Sequence, residues 1–206
     1  MTEKRKNHWE DVYGEKAPTE VSWYQEVPET SLAYLRNTGA SQLDAVIDIG
    51  GGASTFVDHL LDAGFTDITV LDLADRALEE ARRRLGDRAA SVNWVVADVT
   101  QFDPQRKFGV WHDRAVLHFL TEPADRAQYV ATLRSALDPG GHVIISTFAP
   151  DGPSKCSGLE VRRYTIERLQ ELLGPEFGLQ EHRFEDHQTP MSSTQQFLYS
   201  RWVRRE

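Results

Sequence analysis

Residues 46–54 read Val46-Ile47-Asp48-Ile49-Gly50-Gly51-Gly52-Ala53-Ser54, an apolar run that ends in three glycines. The apolar run predicts a buried strand, and the glycines predict a tight turn because glycine lacks a Cβ and adopts positive φ angles. A helical pattern follows from Phe56 to Ala63. A strand that passes through such a turn into a helix is typical of a βαβ unit.

Further short apolar runs follow, and each predicts another strand. Together with residues 45–49, they cover residues 68–72, 92–96, 109–112 and 142–148. Their near-continuous apolar character is typical of strands covered on both faces. Helical patterns separate them, and the stripe formed by Ala74, Leu78, Ala81 and Leu85 leaves the arginines 82–84 for a solvated face. Residues 138–141, Asp-Pro-Gly-Gly, predict a helix stop and a turn into the last of these strands.

The pattern changes after Phe148. A Gly/Pro/Ser loop leads to a helix from Thr165 to Leu173, and the segments 178–186 and 195–203 alternate like an antiparallel pair. We therefore expect an α/β fold with a seven-stranded, mostly parallel sheet whose last strand is antiparallel. We expect residues 1–206 to form a single domain, with residues 1–40 as an N-terminal helical cap that includes a helix from Glu29 to Asn37.

Composition limits the classes of partner. The chain has 206 residues with Lys+Arg 23 against Asp+Glu 32, so its formal net charge is −9, which argues against nucleic acid or an anionic membrane. The single cysteine, Cys156, predicts neither an internal disulfide nor a metal site. The charged residues 1–8 lead into no apolar run, so we expect a cytoplasmic protein without a signal peptide.

Acidic residues end the second and third predicted strands, at Asp72 and Asp98. The carboxyl ends of parallel strands meet at one edge of the sheet, where open α/β folds bind ligands, and Asp72 is placed to accept ribose hydroxyls. Ser54 stands where a dinucleotide fingerprint has its third glycine, and no P-loop lysine follows, so pyrophosphate binding is disfavoured. Turn glycines and helix-capping aspartates are the alternative explanation of each element alone.

Taken in order, these residues resemble the motifs of class I S-adenosylmethionine-dependent methyltransferases. The motifs are Asp48-Ile49-Gly50-Gly51-Gly52, Asp72, Ala97-Asp98-Val99 and Leu137-Asp138-Pro139-Gly140-Gly141. The resemblance covers roughly residues 44–148 and is closest to small bacterial methyltransferases of the thiopurine, tellurite or type 11/12 kind. It implies a Rossmann-like three-layer αβα sandwich. Gly51 and Ser54 depart from relatives that often have Cys and Gly there.

The resemblance also implies roles for individual residues. The turn at Gly50, Gly51 and Gly52 would lie against the methionine part of the cofactor, Asp72 would hold the ribose, and Asp98 with Val99 would contact the adenine. The N-terminal aromatic residues would fold over the cofactor and exclude water from the sulfonium. The full expected set of cofactor-binding residues is Asp48, Gly50, Gly51, Gly52, Ser54, Asp72, Leu73, Asp98, Val99, Asp113, Trp9, Tyr13 and Trp23.

The segment 111–118, Trp-His-Asp-Arg-Ala-Val-Leu-His, resembles the one after strand four in thiopurine, thiol and tellurite methyltransferases. A similar turn occurs in some protein-lysine methyltransferases. Asp113 is a candidate substrate-side group or a cap, and His118 is a candidate base or a structural histidine. Arg114 is expected to pair with an acid, and residues 154–164, with Cys156, Arg162 and Arg163, form a candidate lid.

We therefore expect an enzyme that transfers the methyl group of S-adenosylmethionine to S, Se, Te, N or O of a small molecule, leaving S-adenosylhomocysteine. No metal is required for this chemistry. A protein-lysine N-methyltransferase is the alternative, and a non-catalytic binder or a Rossmann-like oxidoreductase remains open. The chain is expected to be a monomer or a homodimer.

Overall fold

A computed structural model describes residues 2–205, so Met1 and Glu206, the ends of the predicted domain, lie outside the described residues. The helices are α1 Thr2–Glu15, α2 Glu29–Thr38, α3 Phe56–Asp62, α4 Asp75–Leu85, α5 Pro123–Ala136 and α6 Ile166–Leu173. The strands are β1 Val46–Ile49, β2 Ile68–Asp72, β3 Val92–Val96, β4 Phe108–Arg114, β5 Leu137–Phe148, β6 Lys155–Cys156, β7 Leu159–Glu160, β8 Phe177–Gln188 and β9 Thr194–Arg204.

Seven strands form one sheet in the order β3-β2-β1-β4-β5-β9-β8. The first five strands, β1 to β5, are parallel to one another. β9, the last strand in sequence, runs antiparallel to both β5 and β8. The predicted α/β class, the seven strands and the antiparallel last strand are therefore confirmed.

Alternate residues of each central strand face opposite layers. Ile47 packs into the core that holds Leu133 of α5 and Leu169 of α6. Val46, its neighbour, packs into the other core, with Leu60 of α3. Because both faces are covered by helices, the central strands are largely apolar, as the sequence predicted, with polar residues mainly toward their carboxyl ends.

Two details differ from the sequence expectations. β3 is an edge strand with Val96 42% exposed, so it is not covered on both faces like its neighbours. The expected turn at residues 138–141 lies within the extended segment β5, as an irregularity in its pairing with β4. Phe108 pairs with Leu137 and Val110 with His142, so the extra residues bulge opposite Gly109.

The N-terminal helix α1 docks against α4 through one carboxylate. No side chain of its own sequence caps α4, but Glu10 accepts hydrogen bonds from the backbone N–H of Asp75 (2.9 Å) and Arg76 (3.3 Å). These N–H groups open a helix and need outside acceptors, and the positive end of the helix dipole favours a carboxylate there. None of the helices in residues 2–205 has the length and apolarity needed to cross a bilayer.

Candidate functional site

One large cavity lies at the carboxyl edge of the parallel strands, under α1. It encloses about 860 Å³ of empty space including its open mouth. Its lining residues are Arg5, Trp9, Tyr13, Trp23, Ile49, Gly50, Leu71, Asp72, Leu73, Ala97, Asp98, Val99, Arg114, Ala115, Val116, His118, Phe119, Leu120, Phe148, Cys156 and Phe197. The sheet edge predicted to carry the site is therefore the edge that carries the cavity.

The glycine turn leaves β1 with its backbone close to the cavity. Gly50 has φ +64°, and a Cβ there would lie 2.0 Å from Cγ2 of Val116. Gly52 has φ +36°, and a Cβ there would lie 2.7 Å from Oδ2 of Asp72. Side chains at these positions would be strained and would clash, so glycine is what allows the backbone to approach a ligand beside Asp72.

Asp72, at the end of β2, is a buried carboxylate held toward the cavity by its own turn. Its Oδ1 accepts a hydrogen bond from the backbone N–H of Ala74 at 2.9 Å. Burial raises the pKa of Asp72 to about 7, while the backbone N–H groups of Ala74 and Leu73 pull the pKa down. A ligand that donates hydrogen bonds to this carboxylate, such as a ribose diol, would stabilise its charged form.

Asp98, after β3, presents its two oxygens differently. Oδ1 accepts from the backbone N–H and the hydroxyl of Thr100, at 2.9 and 2.7 Å. Oδ2 lies 3.3 Å from Nη2 of Arg5, whose Nη1 lies 3.2 Å from Asp125. Arg5 thus connects α1 to Asp98, after β3, and to Asp125 of α5. These contacts lie on the side of the cavity where the resemblance implies the adenine.

Aromatic rings from the N-terminal segment cover the cavity. The ring of Trp9 meets those of Trp23 and Phe119 edge-on, with centroids 5.7 and 5.0 Å apart. Tyr13 packs edge-on against Trp23 at 6.3 Å. The predicted cover by Trp9, Tyr13 and Trp23 therefore corresponds to rings that line the cavity and contact one another.

Arg114, at the end of β4, has partners that the sequence did not predict. We expected an acidic partner, but its Nε donates to Tyr199 Oη and its Nη1 to the carbonyl oxygen of Trp23, both at 2.8 Å. Its guanidinium carbon lies 5.0 Å from the ring centre of Phe197. Arg114 therefore connects the N-terminal segment to β9 beside the cavity.

His118 lines the cavity but is fully buried. Its Nδ1 accepts a hydrogen bond from the backbone N–H of Phe148 at 3.2 Å, which leaves the proton of the neutral ring on Nε2. Burial, and then the charge of Arg114, lower the pKa of His118 to about 3. In this arrangement His118 offers a neutral N–H donor, and of the two sequence-based alternatives this geometry favours a hydrogen-bonded histidine over a base.

Asp113 does not line the cavity, contrary to its expected role on the cofactor or substrate side. Its Oδ1 accepts from the backbone N–H of Val116 at 2.8 Å, and its Oδ2 accepts from Leu117 N–H at 3.2 Å and Tyr129 Oη at 2.7 Å. Burial raises the pKa of Asp113 to about 6. The carboxylate caps the turn at residues 116–119. Of the two roles that the sequence allowed for Asp113, the structure therefore has the cap.

Asp48 also faces away from the cavity. Its Oδ1 lies 2.6 Å from Nδ1 of His112, whose Nε2 lies 2.8 Å from Oγ of Ser31. A Cβ on Gly51 would lie 2.5 Å from Oδ2 of Asp48, so the carboxylate supports the turn from behind. Ser54, whose hydroxyl accepts from the backbone N–H of Phe56, does not line the cavity either, nor do Gly51 and Gly52.

Leu73 and Val99 line the cavity beside Asp72 and Asp98, as expected. The sequence did not single out Arg5, Phe119, Phe148 or Phe197, because their place at the site depends on contacts between distant segments. Within residues 2–205, no three His, Cys, Asp or Glu side chains are grouped to hold a metal ion.

The expected lid is a small hairpin, β6 and β7, from which Cys156 reaches the cavity wall. Burial raises the pKa of Cys156, which favours an inert thiol. Arg162 and Arg163 do not line the cavity. Arg163 donates to the carbonyl oxygens of Pro150 and Gly152, so it supports the loop.

Comparison with known proteins agrees with this architecture. Residues 47–143 match a family described as a methyltransferase domain. Nodulation protein S of Rhizobium tropici is 31% identical over 101 residues, which cover 49% of this chain and 42% of that protein. The chain thus aligns with less than half the length of this relative.

Two other similar proteins extend beyond this central region. The EEF1A lysine methyltransferase 2 of Danio rerio is 26% identical over 187 residues, covering 84% of this chain and 79% of that protein. The crystal structure of the N-methyltransferase NodS from Bradyrhizobium japonicum WM9 with S-adenosyl-L-homocysteine is 19% identical, with a TM-score of 0.74. It covers 96% of this chain and 98% of that chain, and at this identity it shows a shared fold.

Proposed function

The chain carries a domain of the class I S-adenosylmethionine-dependent methyltransferase family, and on that premise we propose that it methylates a heteroatom of a small molecule. The observation that carries this proposal is the convergence of Gly50, Asp72 and Asp98 on one cavity at the ends of three successive strands. These are the groups that the resemblance assigns to the methionine, ribose and adenine parts of the cofactor.

The residues present fit S-adenosylmethionine. Gly50 leaves room for the amino acid part, because a side chain there would meet Val116. Asp72 supplies acceptors for the two ribose hydroxyls, and its negative charge favours a cationic ligand nearby. Asp98 already uses one oxygen for Thr100 and presents the other to a donor, a position that Arg5 shares.

When bound, S-adenosylmethionine supplies an activated methyl carbon, which forms a bond to the acceptor heteroatom as its bond to sulfur breaks and sulfur keeps the electron pair. The chain's own contribution is to align the acceptor and exclude water. Trp9, Tyr13 and Trp23 provide the water-excluding cover. No described side chain is placed as a strong base in the cavity, so we propose that the acceptor's proton leaves to solvent.

A protein-lysine acceptor is the second candidate, favoured by the likeness to the Danio rerio lysine methyltransferase over most of the chain. The cavity favours a small molecule, because its lining includes Arg114, whose charge disfavours an incoming cationic amine. The proposal further includes one domain over residues 1–206 with residues 1–40 as its cap. It also includes a cytoplasmic monomer or homodimer that binds no nucleic acid, consistent with the net charge of −9.

Methyl-labelled S-adenosylmethionine tests the proposal directly. The protein is incubated with the labelled cofactor and a cell extract, and the label is followed into the small-molecule and protein fractions. We expect label in the small-molecule fraction with the wild-type protein and, at a cofactor concentration near the wild-type Kd, much less with Asp72→Ala. Label only in the protein fraction would favour the lysine acceptor, and no transfer to either fraction would contradict the proposed activity.

A further inference from the structure

The cavity has two halves of different chemistry because it runs along the sheet edge. Asp98 and Asp72 follow β3 and β2, whereas Arg114 and Phe148 end β4 and β5. Neighbouring strands lie about 4.8 Å apart, so β2 and β5 are separated by roughly 14 Å. We call the second region the acceptor half, which consists of Arg114, His118, Phe119, Phe148, Cys156 and Phe197.

Two buried donors in the acceptor half lack an acceptor. Nη2 of Arg114 is buried and has no hydrogen-bond partner among the described residues, although Nε and Nη1 are both paired. Nε2 of His118 is also buried and unpartnered, and it carries the ring proton because Nδ1 accepts from Phe148. Buried donors are almost always satisfied in folded proteins, so two of them on residues that line the same cavity point to a ligand acceptor.

The charge of the acceptor half is positive. None of its lining residues is Asp or Glu, and the groups that Arg114 contacts, a phenol hydroxyl and a carbonyl oxygen, are uncharged. Burial lowers the pKa of His118 most, and the charge of Arg114 lowers it further, so the ring adds no second positive charge to this half. A ligand with a negative group would accept hydrogen bonds from Arg114 and His118 and would balance the positive charge. A cationic amine would do neither.

The remaining surface of the acceptor half is aromatic. The rings of Phe148 and Phe197 lie 4.7 Å apart, and the ring of His118 lies 4.5 Å from those of Phe119 and Phe148. Such walls fit a flat ring better than a flexible chain. His118 is fully buried, so an occupant would reach it only if a neighbouring side chain, such as the half-buried ring of Phe119 at 4.5 Å, moved aside.

We propose that the methyl acceptor is a small planar aromatic anion, whose negative group binds Arg114 and His118. This inference rests on the proposed methyltransferase function and names its substrate class. An acceptor held in this way arrives deprotonated or sheds its proton to solvent, so His118 acts as a hydrogen-bond donor to the acceptor.

A charge series on one ring tests the inference by binding. Protein saturated with S-adenosylhomocysteine is titrated in a calorimeter with 2-hydroxybenzoate, 2-hydroxybenzamide and 2-hydroxybenzylamine, which differ in charge but hardly in shape. We expect the anion to bind at least tenfold more tightly than either analogue. Arg114→Met and His118→Phe should each reduce that preference at least fivefold, whereas Arg163→Gln, a change of an exposed arginine outside the cavity, should preserve it.

S-adenosylhomocysteine affinity separates the possible failures. A variant that keeps this affinity is folded. If Arg114→Met loses it, the inference is still tested by His118→Phe and by the binding of the three ligands to the wild type. Equal or tighter binding of the amide or the amine, or binding of none of the three, would overturn the inference while leaving the proposed function intact. Absence of S-adenosylhomocysteine binding by the wild type would overturn the proposed function instead.

Discussion

Asp72 lines the cavity, but its buried surroundings disfavour the charged form of its carboxyl group. Burial raises the pKa of this carboxyl to about 7, so the charged form destabilises the free protein. Its stability contribution follows from linkage: because the folded pKa lies above the unfolded value, stability is lost as pH rises from about 4 to about 7. The ribose that we propose binds there would reverse this balance by donating hydrogen bonds to the charged carboxylate.

We predict that Asp72→Asn stabilises the free protein relative to the wild type by on the order of 2 kcal/mol at pH 8, and by little at pH 4. The same substitution should weaken S-adenosylhomocysteine binding. Wild-type affinity should fall as pH drops below about 7, since binding then requires loss of a proton. Urea unfolding and calorimetry at several pH values measure both effects, and a stability difference independent of pH would contradict this account.

The buried Asp48, His112 and Ser31 form a chain of polar contacts behind the glycine turn. We predict that His112→Leu destabilises the protein by about 3–5 kcal/mol, because it leaves the Asp48 carboxylate buried without its partner. Ser31→Ala should cost about 1 kcal/mol. Urea unfolding measures both, and a His112→Leu loss no larger than that of Ser31→Ala would show that the contact with Asp48 matters little.

Helix α4 supports the loop that follows Gly52. It does so through Arg84, one of the three arginines that the sequence pattern assigns to a solvated face. Arg84 donates to the carbonyl oxygens of Ala53 and Ser54, at 2.8 and 2.7 Å, and pairs with Asp58. Arg83, its neighbour, pairs only locally with Glu80 on the helix surface. Two neighbouring arginines of this run therefore differ in role: Arg84 binds the loop, whereas Arg83 lies on the solvated surface.

This difference predicts unequal effects of matched substitutions. Arg84→Met should weaken S-adenosylhomocysteine binding several-fold, because the loop after Gly52 loses two hydrogen bonds. Arg83→Met should leave the affinity within twofold, since an exposed pair contributes little. Calorimetric titration of both variants checks the expectation, and equal affinities would mean that the loop holds its conformation without α4.

Helix α1 is held over the cavity at two points, by Arg5 at Asp98 and by Glu10 at the start of α4. We predict that Glu10→Ala speeds dissociation of S-adenosylhomocysteine several-fold, because the cover opens more often when the α4 cap is lost. Glu3→Ala, which changes an exposed carboxylate of the same helix, is the control. Stopped-flow displacement gives the dissociation rates. Identical rates for both variants would show that the attachment of α1 to α4 does not control cofactor release.

At the scale of the whole molecule, the sequence predicts the fold well because the fold depends on local patterns. Strand and helix periodicity, the glycine turn and the closing antiparallel pair can each be read from one short segment. The cofactor half of the site follows from the same information, since parallel strands bring Asp72 and Asp98 to one edge.

The acceptor half depends on information that no single segment holds. Phe197 reaches the cavity from the last strand, and Cys156 reaches it from the hairpin of β6 and β7. Asp113 shows a second limit, because a carboxylate after a strand serves equally well as a ligand group or as a cap. In this protein it caps the turn 116–119, and only the hydrogen bonds of the folded chain distinguish the two roles.

The central claim, that this cavity binds S-adenosylmethionine through Asp72, is tested most directly by calorimetric titration of S-adenosylhomocysteine into the wild type and Asp72→Ala. The account predicts micromolar binding by the wild type and a loss of about 1–3 kcal/mol in the variant, from the missing ribose contacts. Because Asp72→Ala removes an unfavourably buried charge, the variant should remain folded. Absence of binding by folded wild-type protein, or equal affinity in the variant, would contradict the account.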